Sequence, residues 1–228
     1  MEHRVTEEFI SLSLNPESGR YMILGNYLTY GIVGALLMDL SLAGKITIEG
    51  NRIMIARDNP MTGIPAFDRM IKSISVSGKD RTIKTWVRRL GNRSAWYRKE
   101  MQKYFVKNGF LKEEKKRFLF IPYRLHYVAK PGFRKSLILR YKDIILYKKQ
   151  PEDHEVMLMG LMYACRMHRV LSKIGPERRK IRKRLVEIVK DNEFASGINK
   201  VIIEMQAAIT AAIAATAAVS AASSASGS

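Results

Sequence analysis

The chain has 228 residues, of which 46% are hydrophobic and 27% are charged, proportions typical of a globular protein with a buried core. Its single cysteine, Cys165, excludes an intramolecular disulfide, and the composition excludes collagen-like, disulfide-rich and coiled-coil proteins. The net charge of +19 is the unusual property.

The positive charge is concentrated in the middle of the chain. Residues 72–149 contain 23 basic and 5 acidic residues, whereas residues 1–71 contain 6 basic and 8 acidic ones. This clustering favours a polyanionic partner. The candidates are nucleic acid, an anionic membrane surface and a phosphate-rich ligand. A basic surface without a dedicated ligand would explain the total charge, but it explains the clustering less well.

No segment has the pattern of a signal peptide or of a membrane-spanning helix. Met1–Ile10 is acidic and polar, and the best spanning candidate, Ala207–Val219, is short and weakly hydrophobic. We therefore expect a cytoplasmic protein whose membrane contact is peripheral.

The first predicted helix, Tyr27–Leu42, has apolar residues at helical spacing. Gly31 and Gly34 lie inside it and would let another element approach closely, and Gly44 would end it. Alternation over Lys45–Ile55 then predicts a short β-hairpin.

Three amphipathic helices are predicted next, at Ala66–Ser75, Thr82–Leu90 and Ser94–Lys107. After them, strands are predicted at Phe110-Leu111, Arg117–Ile121 and Tyr123–Ala129, with a break at Pro122. The order of helix, glycine and hairpin therefore occurs twice, which predicts two helix-plus-hairpin units.

The remaining sequence predicts helices and a tail. The helices are Phe133–Lys149, a buried central helix at Glu152–Ile174, a basic amphipathic helix at Pro176–Lys190 and Ile198–Val219. We expect a mainly α fold: a compact helical domain with buried central helices, surrounding amphipathic helices and short β-hairpins. Residues 1–219 would form this single domain, and residues 220–228 a flexible Ala/Ser tail.

Signatures of catalysis are missing from the sequence. It contains no GxSxG, HExxH, P-loop or GxGxxG motif. Cys165 and His168 are three residues apart, but two ligands do not complete a zinc site, so both are expected to pack in the core. We therefore predict no catalytic residue, metal or cofactor, and a binding protein rather than an enzyme.

The candidate ligand-binding residues are arginines of the two most basic helices, since guanidinium groups hold phosphate in a two-point fork. They are Arg88, Arg89, Arg93 and Arg98. Trp86 shares the apolar stripe and is expected in the core. Trp96 has three open interpretations: stacking on a base, resting at a bilayer interface, or lying at the edge of the core.

Six short motifs follow the order and spacing of a known family. They are Leu40–Ile46, Thr62-Gly63, Phe67-Asp68, Trp86-x-x-x-Leu90, Phe105–Leu111 and Phe118–Phe120. Across about residues 5–205 the chain resembles the Golgi phosphoprotein 3 family and its bacterial relatives. The resemblance implies an all-helical domain with a protruding hairpin that helps the protein to oligomerise.

The resemblance also implies a function and partners. Eukaryotic members of the family are adaptors without catalytic activity, which bind phosphatidylinositol 4-phosphate on Golgi membranes and recruit the cytosolic tails of glycosyltransferases. The implied partners are an anionic phospholipid surface, protein cargo tails and further copies of the chain.

The family's lipid pocket uses a tryptophan and three arginines. Here the tryptophan position falls at Leu24 and the arginine positions fall at Val33, Ala95 and Arg98, so only Arg98 matches. The basic surface around Arg98 still favours a general attraction to anionic lipid. The hairpin residues expected to mediate self-association or bilayer contact, or else to cover the core, are Phe118, Phe120, Tyr123, Leu125 and Tyr127.

Two functions follow from these patterns. The main prediction is a non-catalytic peripheral membrane adaptor that binds anionic, phosphoinositide-like headgroups through a basic surface. The alternative is a sequence-nonspecific nucleic-acid-binding protein with winged-helix-like units. The helix Ser94–Lys107 lacks an Asn/Gln pair for base edges, so the alternative is restricted to contacts with the phosphate backbone.

Overall fold

The computed structural model describes residues 4–23, 25–49, 51–56, 61–77, 81–191 and 199–225. Across these residues the chain forms ten helices and two antiparallel two-stranded sheets, so the predicted mainly α fold is confirmed. The elements are α1 (Arg4–Ser13), α2 (Asn26–Leu42), β1 (Ile46–Glu49), β2 (Arg52–Ile55), α3 (Pro65–Ser75), α4 (Ile83–Gly91), α5 (Ser94–Lys107), β3 (Leu111–Phe118), β4 (Ile121–Val128), α6 (Phe133–Tyr147), α7 (Asp153–Ala164), α8 (His168–Leu171), α9 (Gly175–Asp191) and α10 (Asn199–Ala225).

The helix α2 is the centre of the fold. Every residue from Tyr30 to Leu40 is buried, and α1, α4, α5, α7 and α10 pack around the helix. The apolar helix α7 is its buried neighbour. A helix that is apolar on all sides needs such complete coverage, because any exposed face would place hydrocarbon in water.

The two glycines of α2 set the distance to neighbouring elements, as predicted. A Cβ atom at Gly31 would overlap the ring of Phe9 on α1. A Cβ atom at Gly34 would overlap the Cδ1 atom of Ile209 on α10. The absence of a side chain at both positions therefore lets α1 and α10 approach the central helix closely.

A buried carboxylate joins α1 to α2. Asp39 is 1% exposed and accepts hydrogen bonds from the backbone N–H groups of Val5 and Thr6, each at 3.0 Å. It also accepts a hydrogen bond from the Thr6 hydroxyl. Since the first N–H groups of a helix have no partner within that helix, Asp39 supplies the acceptor that the beginning of α1 lacks.

Both hairpins exist, but the second differs from its prediction. β1 pairs with β2 from Ile46↔Ile55 to Glu49↔Arg52, as expected. β3 begins at Leu111 and pairs with β4 as far as Phe118↔Ile121. The predicted strand Arg117–Ile121 is therefore wrong, because its centre is the turn.

The predicted break at Pro122 is also wrong, since this residue lies within β4 and is paired with Arg117. A two-stranded sheet has a free edge on each strand, where a residue without an N–H group is tolerated.

The predicted central helix Glu152–Ile174 is interrupted. α7 ends at Ala164, and Arg166 has a left-handed backbone with a φ of 55°. The Met167 N–H donates to the Met162 carbonyl at 2.8 Å, which closes the helix end. The apolar pattern predicted the burial of α7 correctly, but it carries no signal for this turn.

The last helix continues beyond its predicted end at Val219, to Ala225. The division into a domain of residues 1–219 and a tail of residues 220–228 stays a prediction. In the described part of the chain, every helix lacks the length or the apolarity needed to span a bilayer.

Candidate anion-binding site

The helices α4 and α5 display basic side chains because each buries only one face. On α4, Trp86 and Leu90 are buried whereas Arg88 and Arg89 are exposed. On α5, the buried residues recur every fourth position at Tyr97, Met101 and Phe105. The remaining sides of α5 are free to carry charge.

A cationic cavity of about 780 Å³ lies between α5, the turn after α1 and the base of the β3–β4 hairpin. We call it the Arg98 cavity. α5 contributes residues at helical spacing, including Ala95, Arg98 and Gln102. The basic residues that line it are Arg20, Arg98, Lys99, Lys103 and Arg124.

Tyr21 supports Arg98 inside this cavity. The guanidinium carbon of Arg98 lies 5.6 Å from the centre of the Tyr21 ring, within the range of a cation–π contact. Gln102 Nε2 donates a hydrogen bond to the Tyr21 hydroxyl at 3.0 Å. Burial raises the pKa of Tyr21 to about 12, against smaller opposing effects of Arg98 and Gln102. The neutral phenol is therefore a fixed platform for the guanidinium group.

The acid in the cavity is already paired. Glu113 accepts a hydrogen bond from Arg124 Nη1 at 3.0 Å, and its second oxygen lies 3.5 Å from Nε2 of His126. Lys103 pairs with Glu100 at 2.6 Å.

Three cations of the cavity are left without such a partner: Arg20, Arg98 and Lys99 have no carboxylate partner within the described residues. Their charge is available to an external anion.

His126 adds a titratable group to the same wall. Burial lowers the pKa of His126, and the positive charges of Arg124 and Arg98 lower it further, whereas Glu113 raises it. The net shift is downward, so the imidazole is neutral at pH 7.

The four candidate arginines do not share one cavity. Arg98 lines the Arg98 cavity, whereas Arg89 and Arg93 line a second cavity of about 820 Å³ between α3, α4 and the beginning of α5. We call this the α3–α4 cavity. Tyr97 belongs to the second cavity and Ala95 to the first, so the two cavities lie on different sides of α5. Arg88 is exposed on α4.

The tip of the β3–β4 hairpin is an exposed apolar cluster. Its four residues are Phe118, Leu119, Phe120 and Ile121, with exposed fractions of 69%, 78%, 95% and 68%. Sequence patterns identified Phe118 and Phe120 but missed Leu119 and Ile121. The basic residues before the tip are Lys115, Lys116 and Arg117.

The other three hairpin candidates lie nearer the body of the protein. Tyr123 and Tyr127 are half-buried, and Leu125 is buried, so its surface is not available to a partner. The hairpin base is held by Gly19: the His126 N–H donates to the Gly19 carbonyl at 3.3 Å, and a Cβ atom at Gly19 would lie 2.8 Å from Tyr127 Cζ.

A sequence model of the Golgi phosphoprotein 3 (GPP34) family matches residues 5–219. The chain belongs to the Golgi phosphoprotein 3 family. A relative, vacuolar protein sorting-associated protein 74 of Schizosaccharomyces pombe, is 24% identical over 159 residues, which are 61% of this chain and 47% of that protein. The chain thus aligns with about half the length of this curated relative.

The structure locates most of the pocket positions implied by the Golgi phosphoprotein 3 family. Ala95 and Arg98 line the same cavity, whereas Val33 is completely buried in α2. Leu24 lies outside the described residues. Arg20 and Arg124, which sequence reasoning did not select, add charge beside Arg98 because the fold brings the turn and the hairpin to α5.

Trp86 is in the core, as predicted, and Trp96 is half-buried at the core edge with the guanidinium carbon of Arg69 at 4.3 Å from its ring centre. Cys165 is buried, as predicted, and burial raises the pKa of its thiol. His168 is half-buried, so its expected place in the core is wrong.

Among the residues that the structure describes, no group of three or more His, Cys, Asp or Glu could hold a metal ion.

Proposed function

We propose that this member of the Golgi phosphoprotein 3 family is a non-catalytic peripheral adaptor that docks on anionic phospholipid. The observation that carries the proposal is that one hairpin joins two complementary features. The base of the β3–β4 hairpin lines the Arg98 cavity, and its tip presents four exposed apolar residues.

The two features match the two components of a lipid interface. Arg20, Arg98 and Lys99 can attract anionic headgroups, at about 1 kcal/mol for each basic residue near the surface. The apolar tip would leave water for the boundary between headgroups and acyl chains, a transfer worth about 25 cal/mol for each Å² of apolar surface. The basic residues Lys115–Arg117 beside the tip support the same orientation.

The basic residues of the Arg98 cavity favour broad rather than narrow lipid specificity. Of the three arginines of the family pocket, only the one at Arg98 is present here. Arg20 and Lys99 provide additional positive charge around it. We therefore propose binding of anionic headgroups in general, including phosphoinositide-like ones. Protein cargo tails, self-association through the hairpin and a cytoplasmic, membrane-peripheral location stay predictions.

Vesicle sedimentation at physiological salt tests the proposal. We expect the protein to sediment with phosphatidylglycerol vesicles and to remain in solution with phosphatidylcholine vesicles. Combined replacement of Arg20, Arg98 and Lys99 by Gln should reduce binding at least tenfold. Phe118→Ser with Phe120→Ser should reduce it similarly without affecting the thermal midpoint of unfolding.

A matched control removes three charges elsewhere. The residues Arg179, Lys180 and Lys183 are exposed on the basic helix α9, and their replacement by Gln should leave most vesicle binding intact. Equal loss in this control would mean that only net charge matters. Tight binding of duplex DNA by a protein that ignores the vesicles, at the same salt concentration, would favour the nucleic-acid alternative instead.

A further inference from the structure

The α3–α4 cavity is not used by the proposed membrane contact and has its own organisation. Faces of two helices form its walls, each with residues at the spacing i, i+3, i+4 that places them on one side of a helix. The wall residues are Arg69, Lys72 and Ser73 on α3, with Val76 just after it, and Trp86, Arg89 and Leu90 on α4, with Arg93 in the turn before α5.

The cavity has an excess of positive charge. Its basic residues are Arg69, Lys72, Arg89 and Arg93. Within the described part of the chain, none of the four has a carboxylate partner. Among the described residues of the lining, the one carboxylate is that of Asp68, which accepts hydrogen bonds from the Thr62 N–H at 2.6 Å, the Thr62 hydroxyl at 2.8 Å and the Gly63 N–H at 3.0 Å. Asp68 is therefore engaged in capping a loop.

One residue of the cavity wall carries a buried, unpaired hydrogen-bond donor. Trp86 lines the cavity and is only 2% exposed, and its indole Nε1–H has no hydrogen-bond partner among the described residues. A buried donor without an acceptor costs free energy, so most buried polar groups are paired. This N–H is shielded from solvent, so its NMR signal reports on the packing and the charge around the Trp86 ring rather than on water.

The arginines are oriented by aromatic rings rather than by acids. The guanidinium carbon of Arg69 lies 4.3 Å from the Trp96 ring centre, and that of Arg89 lies 5.5 Å from the Trp86 ring centre. Burial raises the pKa of Tyr97, while Ser73 and the positive charges of Arg69 and Arg93 act against this shift. Charges from both walls of the cavity therefore approach the same phenol.

We propose that the α3–α4 cavity binds the dianion of a phosphate monoester. The guanidinium groups of Arg69 on α3 and Arg89 on α4 match phosphate oxygens in fork geometry, and Lys72 and Arg93 complete the donor set. Apolar lining from Met61, Val76 and Leu90 suits the organic part of the ester. A soluble phosphorylated molecule and a lipid headgroup share this chemistry. The site is separate from the Arg98 cavity, so it goes beyond the proposed docking function.

The test follows the indole N–H signals by NMR during titration with phenyl phosphate. The chain has two tryptophans, and a Trp96→Phe variant assigns the Trp86 signal. We expect a saturable shift of that signal. Arg89→Gln and Arg93→Gln should each weaken binding about tenfold or more, because each removes a hydrogen-bonded charge.

Two variants serve as matched controls. Arg88 neighbours Arg89 on α4 but is exposed away from the cavity lining, so Arg88→Gln should change the affinity less than twofold. Arg98→Gln should have no effect, since Arg98 lies at the other cavity. Circular dichroism melting curves of all variants report whether the fold is retained.

A second arm separates the two sources of the phosphate. Vesicles of phosphatidic acid, a monoester lipid, are compared with phosphatidylglycerol vesicles, using the variant that lacks Arg20, Arg98 and Lys99. The site would be assigned to a lipid headgroup if the protein prefers phosphatidic acid, if Arg89→Gln abolishes this preference and if Arg88→Gln preserves it. A Trp86 response to phenyl phosphate alone would assign it to a soluble ligand. No response in either arm, or equal weakening by Arg88→Gln and Arg89→Gln, would overturn the proposal.

Discussion

The two helix-plus-hairpin units of this chain share the same order of elements but differ in their exposure to solvent. In the first, α2 leads through Gly44 to β1 and β2, and in the second, α5 leads through Gly109 to β3 and β4. Both glycines have a left-handed backbone, with φ of 62° and 71°. The first helix is buried on all sides, whereas the second buries one face.

The hairpins repeat this contrast. The strands of the first hairpin have four residues each, and Ile46 and Ile53 are buried against the helical body. The strands of the second have eight residues each and end in an exposed apolar tip. The same arrangement therefore supports the core in one unit and projects charge and hydrocarbon outward in the other. Stability should depend on the first unit and binding on the second.

The largest expected effect is the removal of Asp39 from the first unit. Asp39→Ala leaves three buried donors of Val5 and Thr6 without their acceptor, and we expect the free energy of unfolding to fall by about 4 kcal/mol. Urea denaturation measures this change. Glu17→Ala, an exposed carboxylate in the turn after α1, should change the stability by about 0.5 kcal/mol or less. A loss below about 1 kcal/mol for Asp39→Ala would contradict the assigned role.

Truncation of one apolar residue in each hairpin compares the units directly. Ile53 is 3% exposed, so Ile53→Ala should cost about 3 kcal/mol of unfolding free energy. Phe120 is 95% exposed, so Phe120→Ala should change stability by about 0.5 kcal/mol or less while weakening vesicle binding. Thermal melts and vesicle sedimentation measure the two properties. Equal destabilisation by both variants would refute the division of roles.

The connecting glycines should behave alike. Apart from the adjoining residues, no heavy atom in the described part of the chain lies within 4 Å of a Cβ atom built at Gly44 or Gly109, so an alanine there meets chiefly the cost of a left-handed backbone. We expect Gly44→Ala and Gly109→Ala each to lower the unfolding free energy by about 1 kcal/mol. Chemical denaturation of both variants measures this loss. A clearly larger loss of unfolding free energy at one glycine than at the other would contradict the prediction that the two behave alike.

The smallest expected effect is a pH dependence of lipid binding. Since the pKa of His126 is lowered, its imidazole is neutral at pH 7 and gains a proton only as the pH falls. Protonation adds positive charge to the Arg98 cavity, so phosphatidylglycerol binding should strengthen about twofold between pH 7.5 and pH 5.5. His126→Gln should remove this part of the dependence in vesicle sedimentation. A slope that survives the substitution would assign it to other groups.

The sequence predicted the helices where an apolar stripe or an all-apolar surface is present, as in α2, α4 and α5. It missed the central part of β3, Lys112–Lys116, because a protruding strand buries little and shows no alternation of apolar and polar residues. It also missed the helix break at Arg166, where a non-glycine residue adopts a left-handed backbone.

The candidate site was predictable only in part. Arg89, Arg93 and Arg98 stand out as a cluster along the chain, but their division between two cavities depends on the rotation of α5. Arg20, Arg69 and Arg124 are distant in sequence from Arg98, and only tertiary packing brings them to these cavities. Charge clustering therefore located the region but not the arrangement of its ligand-binding groups.

Gly19 constrains the direction in which the long hairpin leaves the body of the protein. It approaches the hairpin closely at Tyr127, and the strand from Tyr127 to Ile121 extends about 20 Å beyond this point. A side chain at position 19 would displace the strand at Tyr127, and a small rotation there would move the distant tip by a larger distance. The absence of a side chain at position 19 therefore permits the observed orientation of the hairpin.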